Sequence, residues 1–236
     1  MKLGDFSTLT FDCYGTLIDW ETGLLQALAP WLARHGCRID DERILAAFAE
    51  AESAAQQCAP GKRYPEILGD AMEALAAQWQ IPLDPADRQR FGASVGEWPA
   101  FADSAAALAY LKRHYRLVIL SNVDRGSFAR SHVRLGVEFD RVFTAQDIGS
   151  YKPDPRNFRY MLDALGQDGI APRQVLHVAQ SLFHDHVPAK QLGLATVWVN
   201  RRAGKLGSGA TRAAQAQPDW EVTSLAELAD LHRAQA

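Results

Sequence analysis

The sequence predicts an α/β protein built on a Rossmann-like, doubly wound parallel sheet with an inserted helical cap. Short apolar runs alternate with helical segments through most of the chain, which is the pattern of βαβ units. These runs are mostly apolar on both faces, as expected for strands that are covered on both sides. One stretch, residues 21–96, breaks this rhythm because its apolar residues follow helical spacing only.

Five strands are predicted, each followed by polar or turn-forming residues. They cover residues 9–11, 117–120, 141–145, 175–179 and 195–200, with helices near residues 103–113, 126–135, 156–165 and 185–192. The helical region between the first two strands has apolar residues such as Leu24, Leu28 and Trp31 on one face. We therefore expect a core formed by residues 1–19 and 98–236 and a cap formed by residues 20–97. Residues 202–217, rich in Gly and Ala and positively charged, predict an exposed loop.

Composition and charge exclude several classes of protein. The chain has 236 residues, 47% of them hydrophobic, and a net charge of −3, so it can bury a core and has no basic surface suited to nucleic acid. Its three cysteines form no CxxC pair, which favours a reducing, cytoplasmic compartment. No signal peptide and no apolar stretch long enough to span a membrane is predicted. Apolar cap helices are compatible with a homodimer.

Polar side chains follow four of the predicted strands. Because the carboxyl ends of parallel strands meet at one edge of a sheet, we expect these side chains to share one crevice. The residues concerned are Asp12 after the first strand, Ser121 and Asn122 after the second, Lys152 after the third, and Gln180, Ser181, His184 and Asp185 after the fourth.

The motifs around these residues resemble those of the haloacid dehalogenase superfamily. FDCYGTL, LSN, YKPDP and the Asp185 region look like its four motifs, in the expected order and spacing over the whole chain. The ending QPDWEVTSL resembles the C terminus of the 2-haloacid dehalogenases. DWETG, GKLGSGAT and the HDH after the fourth strand also resemble hydrolases that open the ring of azetidine-2-carboxylate.

The resemblance distinguishes a carbon-directed hydrolase from a phosphatase. Phosphatases of the superfamily carry D-x-D in the first motif and an acidic residue in the fourth loop that helps hold Mg²⁺. Here Tyr14 replaces the second aspartate, and Gln180 occupies the acidic position. Mg²⁺ favours carboxylate oxygens, so we expect neither a metal nor another cofactor.

The resemblance implies that Asp12 attacks a carbon atom of a small 2-substituted carboxylic acid and forms an ester that water then cleaves. Thr16 would hydrogen-bond Asp12 or its loop, and Lys152 would keep Asp12 ionised. Asp185 would orient Lys152 or help to activate water. His184 or its neighbour His186 could supply the base that activates water.

A second group of residues is expected to bind the substrate. Tyr14 and Trp20 would line the pocket, Ser121 and Asn122 would bind a carboxylate or oxyanion, and Gln180 and Ser181 would lie beside them. An arginine of the cap would grip the substrate carboxylate. The candidates are Arg34, Arg38, Arg43 and Arg63, of which Arg63 in the loop GKRY is favoured.

Three other activities remain open at this point. The chain could be a C–N ring-opening hydrolase of the azetidine-2-carboxylate type, a phosphatase that recruits a metal, or a non-catalytic binding protein that keeps the fold.

Overall fold

The computed structural model describes residues 1–235, and within them six strands form one parallel sheet. The strands are β1 (Thr8–Phe11), β2 (Arg116–Ser121), β3 (Arg141–Thr144), β4 (Val175–Ala179), β5 (Ala195–Val199) and β6 (Trp220–Val222). Their order is β3-β2-β1-β4-β5-β6, so the chain leaves β1 in one direction and returns to its other side at β4. The carboxyl ends of β1 and β4 therefore flank the switch point, where this class of sheet binds ligands.

Both faces of the sheet are buried, which explains the mostly apolar runs. Along β2, Leu117 and Ile119 pack into one hydrophobic cluster, whereas Val118 and Leu120 pack into another on the opposite face. Successive side chains of a strand point to opposite faces, so a strand covered on both sides buries nearly all of them, and buried polar ones such as Thr10 and His177 are hydrogen-bonded to each other.

Four helices lie between β1 and the rest of the sheet. They are α1 (Trp20–Arg34), α2 (Asp41–Cys58), α3 (Tyr64–Trp79) and α4 (Pro85–Ala93). The helices of the sheet layers follow as α5 (Ser104–Leu111), α6 (Arg125–His132), α7 (Ala145–Ile148), α8 (Arg156–Gln167), α9 (Val187–Gln191) and α10 (Leu225–Gln235). A π-helical turn, Leu182–His186, precedes α9.

The architecture confirms the predicted α/β fold class. The five predicted strands are present, and the four helices of the inserted region lie within the predicted cap, whose bounds stay a prediction. Three elements were missed: β6, which has only three residues, α7, which has only four, and α10, which packs against α5. No helix within residues 1–235 is long and apolar enough to cross a membrane.

The predicted loop at residues 202–217 is irregular, but the expectation that it is exposed is wrong in part. Arg202, Ala210 and Thr211 are buried against the cap and the site. Arg202 donates from Nη1 to Glu21 Oε2 at 2.5 Å and from Nη2 to Glu42 Oε2 at 2.6 Å. These ion pairs join the loop to the N-terminal ends of α1 and α2.

The contact between α3 and α4 generates a test of the helical insertion. A Cβ on Gly92 would lie 2.4 Å from the Pro65 carbonyl oxygen, whereas one on the exposed Gly166 of α8 would meet nothing within 4 Å. We expect Gly92→Ala to lower the free energy of unfolding by about 1–3 kcal/mol. Gly166→Ala should be neutral or stabilising by up to about 1 kcal/mol. Urea denaturation measures both, and equal effects would contradict this packing.

Candidate active site

The sheet brings the four predicted strand ends together at the switch point. Asp12 follows β1, Ser121 ends β2, and Asp185 lies in the π-helical turn after β4. Lys152 lies in the loop between α7 and α8. These four side chains line one cavity, as the sequence predicts.

Lys152 joins the two carboxylates of the site. Its Nζ donates to Asp12 Oδ1 at 3.0 Å, to Asp185 Oδ1 at 2.6 Å and to the Leu120 carbonyl oxygen at 2.9 Å. All three donor positions of the ammonium are used, and its side chain is only 1% exposed. The backbone of Lys152 is fixed as well, because Asn122 Oδ1 accepts from Lys152 N–H at 2.7 Å and Asn122 Nδ2 donates to Lys152 O at 3.0 Å.

A buried histidine, which the sequence analysis missed, supports the second carboxylate. His177 Nε2 lies 3.0 Å from Asp185 Oδ1, and its Nδ1 lies 2.8 Å from Thr10 Oγ1. His177 is in the middle of β4, where it is fully buried. A polar residue inside a strand that is apolar on both faces was the signal that could have revealed it.

Thr16 holds the other oxygen of Asp12. Its hydroxyl donates to Asp12 Oδ2 at 2.8 Å and accepts from the backbone N–H of Gln180 at 2.9 Å. The first and fourth motifs are thus linked through one hydroxyl, and the predicted contact between Thr16 and Asp12 is present.

The pKa values of the two carboxylates are shifted in opposite directions. Burial raises the pKa of Asp12, although the neighbouring Lys152 ammonium opposes this effect. Burial would also raise the pKa of Asp185, but Lys152 and His177 outweigh it and hold that pKa below its usual range. Burial would lower the pKa of Lys152, yet the two carboxylates raise it, so the ammonium stays charged.

The cap closes the cavity above Asp12. Trp20 of α1, Glu52 of α2 and Tyr64 of α3 line it, and about 30 Å³ of free volume remains. This volume accommodates water but no organic acid, so access for a substrate requires these groups to move. Glu52 was not singled out from the sequence, although it lies one helical turn after the buried Phe48 and so on the same face of α2.

Three other residues that the sequence placed in the pocket differ in their hydrogen bonding. Tyr14 lines the cavity, its hydroxyl 2.9 Å from Ser131 Oγ, and burial raises the pKa of this phenol well above its usual value. Ser121 lines it too, and its buried Oγ has no hydrogen-bond partner within residues 1–235. Asn122, predicted to bind substrate, lines the cavity as well, and its side chain is hydrogen-bonded to the Lys152 backbone.

Of the two histidines that flank Asp185, one lines the cavity and the other does not. His184 lines the cavity, and Ser181 Oγ accepts its backbone N–H at 2.9 Å and lies 3.2 Å from its Nδ1. His184 Nε2 is buried without a partner among the described residues, and burial lowers the pKa of this ring to about 4. His186 lies outside the cavity, with its Nε2 2.9 Å from the Ala179 carbonyl oxygen.

Two residues that were predicted to bind the substrate do not line the cavity that holds Asp12. Arg63 precedes α3 with its side chain 65% exposed and Nε 3.5 Å from Glu66 Oε2, so it points to solvent and not into the cleft. The Gln180 side chain lines a neighbouring cavity of about 200 Å³ beside Gly15 and Trp20. Its Oε1 lies 3.5 Å from Thr211 Oγ1, so its bond is with the loop that covers the site.

The two motifs that suggested an azetidine-opening hydrolase contact each other. Glu21 of DWETG accepts from the Ala210 backbone N–H at 3.1 Å and from Arg202, which lies just before GKLGSGAT. Thr211, the last residue of that loop segment, lines the cavity with Asp12. The two segments therefore form one unit beside the site.

Comparison with known proteins identifies the family. A model of the haloacid dehalogenase-like hydrolases matches residues 6–185. The chain therefore belongs to the haloacid dehalogenase-like hydrolase family and is a hydrolase. This confirms the superfamily indicated by the motifs, while the likeness to azetidine-opening enzymes stays a prediction.

Particular relatives are 2-haloacid dehalogenases. The (S)-2-haloacid dehalogenase of Pseudomonas sp. (strain YL) is 30% identical over 172 residues, covering 71% of this chain and 70% of that protein. The crystal structure of the L-2-haloacid dehalogenase PA0810 has a TM-score of 0.78 at 24% identity, covering 97% of this chain and 99% of that one. The L-2-haloacid dehalogenase of Xanthobacter autotrophicus, with chloropropionic acid covalently bound, has a TM-score of 0.75 at 22% identity and covers 98% and 100%.

The opposite pKa shifts of Asp12 and Asp185 predict that replacing each by asparagine has opposite effects on the free energy of unfolding. A raised pKa means that ionised Asp12 destabilises the fold near pH 7, so Asp12→Asn should leave the free energy of unfolding unchanged or increase it. That gain should vanish as the pH falls below the ordinary pKa of aspartate. Asp185→Asn keeps an acceptor oxygen but removes the negative charge beside Lys152 and His177, and it should cost about 3 kcal/mol or more at pH 7. Thermal unfolding at pH 3 and pH 7 measures both, and a larger loss at pH 7 for Asp12→Asn than for Asp185→Asn would contradict the assignment.

Proposed function

We propose that the protein is a metal-independent hydrolase in which Asp12 attacks a carbon atom of a small 2-substituted carboxylic acid. The observation that carries this proposal is the fixation of Asp12 at both oxygens, by Thr16 and by Lys152. An ionised carboxylate has about four lone-pair positions, so two bonds leave it free to act as a nucleophile. The named activities of the (S)-2-haloacid dehalogenase relatives support the same substrate class.

The chemistry of the donor set favours a metal-free site. The position of a second aspartate is taken by Tyr14, whose buried phenol stays protonated. The Gln180 side chain lines the neighbouring cavity instead of the one that holds Asp12. The remaining carboxylates, Asp12 and Asp185, already share the Lys152 ammonium, which supplies the positive charge that a divalent cation would otherwise provide.

The reaction proceeds in two steps that conserve atoms and charge. Asp12 forms a C–O bond to the substrate carbon while the leaving group departs with the bonding electron pair. Water then attacks the carboxyl carbon of the ester, the Asp12 carboxylate is regenerated, and the former Asp12 oxygen leaves on the product alcohol. One proton is released from the water.

His184 and Asp185 are positioned to bind this water. His184 Nε2 and Asp185 Oδ2 are both buried without a hydrogen-bond partner among residues 1–235, and both residues line the cavity. Buried polar atoms of this kind are usually satisfied by ordered water. When His184 Nδ1–H donates to Ser181 Oγ, Nε2 presents a lone pair that accepts the proton of the attacking water.

A second candidate, hydrolysis of a C–N bond, is favoured by the charge of the cavity. Within the described chain, Lys152 is the one cationic side chain that lines it, and both carboxylates already share its charge. No arginine of residues 1–235 replaces the misplaced Arg63 there. A plain 2-halo acid would bring a further negative charge into this site, whereas a substrate with an ammonium group would not.

Single turnover in ¹⁸O water tests the ester route. Enzyme in excess over 2-chloropropionate or azetidine-2-carboxylate should carry one ¹⁸O on Asp12, found by mass spectrometry of the Asp12 peptide. The first product should be unlabelled, because its new oxygen comes from the carboxylate. The label should also appear in the presence of EDTA.

Asp12→Asn is the control and should neither turn over nor take up label. Label in the product but not in the enzyme would overturn covalent catalysis. Loss of all activity on EDTA treatment, together with activity on phosphate esters, would support a phosphatase instead.

Replacement of His184 should separate the two steps. His184→Gln removes the proposed base but leaves Asp12 and Lys152 intact, so we expect ester formation to persist and its hydrolysis to slow by about 10²-fold or more. Intact-protein mass spectrometry should show the accumulated ester, and the leaving group should appear as a burst. His186→Gln is the matched control and should show no accumulation. Equal slowing of both steps by His184→Gln would contradict this role.

A further inference from the structure

Glu52 is a buried acid of the cap for which the proposed ester route has no use. It lies on the apolar face of α2, and only 3% of its surface is exposed. Burial, partly opposed by the hydrogen bond from Tyr64, raises its pKa to about 7, and the charge of Asp12 adds to the rise. A carboxyl group so placed is costly to ionise unless a positive partner is present.

The structure gives Glu52 a neutral partner and a place in the reaction cavity. Tyr64 Oη donates to Glu52 Oε1 at 2.7 Å, which orients the carboxyl group without neutralising it. Glu52 and Tyr64 line the same cavity as Asp12. The carboxyl group is therefore held from the cap side, facing the space in which a substrate of Asp12 would bind.

The charges of the cavity determine which kind of ligand can bind beside Glu52. Asp12, Asp185 and Glu52 are acidic, and the ammonium of Lys152 balances one of them in full. An anion gains nothing from Glu52, because like charges in a water-poor site repel each other. A cationic nitrogen gains a charge-assisted hydrogen bond and removes the excess negative charge.

We propose that Glu52 binds the protonated nitrogen of the substrate, so that the enzyme acts on a zwitterionic 2-amino acid whose nitrogen is the leaving group. This inference rests on the proposed attack by Asp12 and specifies its substrate class. A small cyclic amino acid has the required chemistry, since its ring nitrogen and the attacked carbon are adjacent.

The step is balanced when Glu52 keeps the nitrogen protonated. Asp12 bonds to the ring carbon, the C–N bond breaks, and its electron pair stays on nitrogen, which leaves as a neutral amine. Water then cleaves the ester, and the proton that it releases passes to the amine. The product is an open-chain amino acid with one new hydroxyl group, and no oxidant or metal is consumed.

Binding to catalytically inactive protein tests this role without turnover. The probes are azetidine-2-carboxylate and cyclobutanecarboxylate, rings of the same size with and without the nitrogen. In the Asp12→Asn background we expect the amine to bind at least about 10-fold more tightly by calorimetry, the value of one charged hydrogen bond. Adding Glu52→Gln, which keeps an acceptor for Tyr64, should abolish this preference and leave the carbocyclic acid unchanged or more tightly bound.

Tyr64→Phe is the second variant and keeps the charge of Glu52, so the preference should persist even if overall affinity falls. Equal binding of the two rings, failure of both to bind, or equal weakening of both by Glu52→Gln would overturn the inference. Because no ester forms in Asp12→Asn, a preference seen here without ¹⁸O label in the active enzyme would refute only the ester route. Label obtained with 2-chloropropionate alone, without any amine preference, would refute only the role of Glu52.

Discussion

The site depends on the hydrogen bonds of one buried group, the ammonium of Lys152. Three acceptors from three parts of the chain converge on it: Asp12 after β1, the end of β2 at Leu120, and Asp185 after β4. Burial favours the neutral form of this lysine, whereas the two carboxylates hold it in the charged form, and the ammonium in turn offsets the repulsion between the two acids. The reciprocal amide bonds from Asn122 fix the backbone from which this side chain extends.

Asp12 and Asp185 share the Lys152 ammonium, but their other partners differ. Asp185 has two hydrogen-bond partners, the Lys152 ammonium and the His177 ring, and the hydrogen bond between His177 and Thr10 anchors this arrangement inside the sheet. Asp12 has Lys152 and one hydroxyl, and burial leaves it the more basic of the two. The better stabilised carboxylate is the poorer nucleophile, so this difference in environment supports the proposed role of Asp12 as the nucleophile.

The sequence predicted the core side of this site better than the cap side, for a physical reason. Residues at the ends of parallel strands must meet, so the convergence of Asp12, Lys152 and Asp185 could be predicted from topology. A helix gives no such rule about its neighbours, and Arg63 precedes α3 on the solvent side. His177 was overlooked because it lies inside an apolar strand, and β6 because three residues provide no periodicity.

In the proposed mechanism, the cap residues of the cavity select the substrate that Asp12 attacks. Its contribution to the cavity consists of Trp20, Glu52 and Tyr64, two aromatic rings and one acid, where a site for simple anions would need a cation. In the proposed reaction the core would position Asp12 in the same way for different leaving groups, because the bonds that fix its carboxylate come from Thr16 and Lys152. Relatives with the same sheet can therefore differ in leaving group through a few cap residues, since a function belongs to a site and not to its fold.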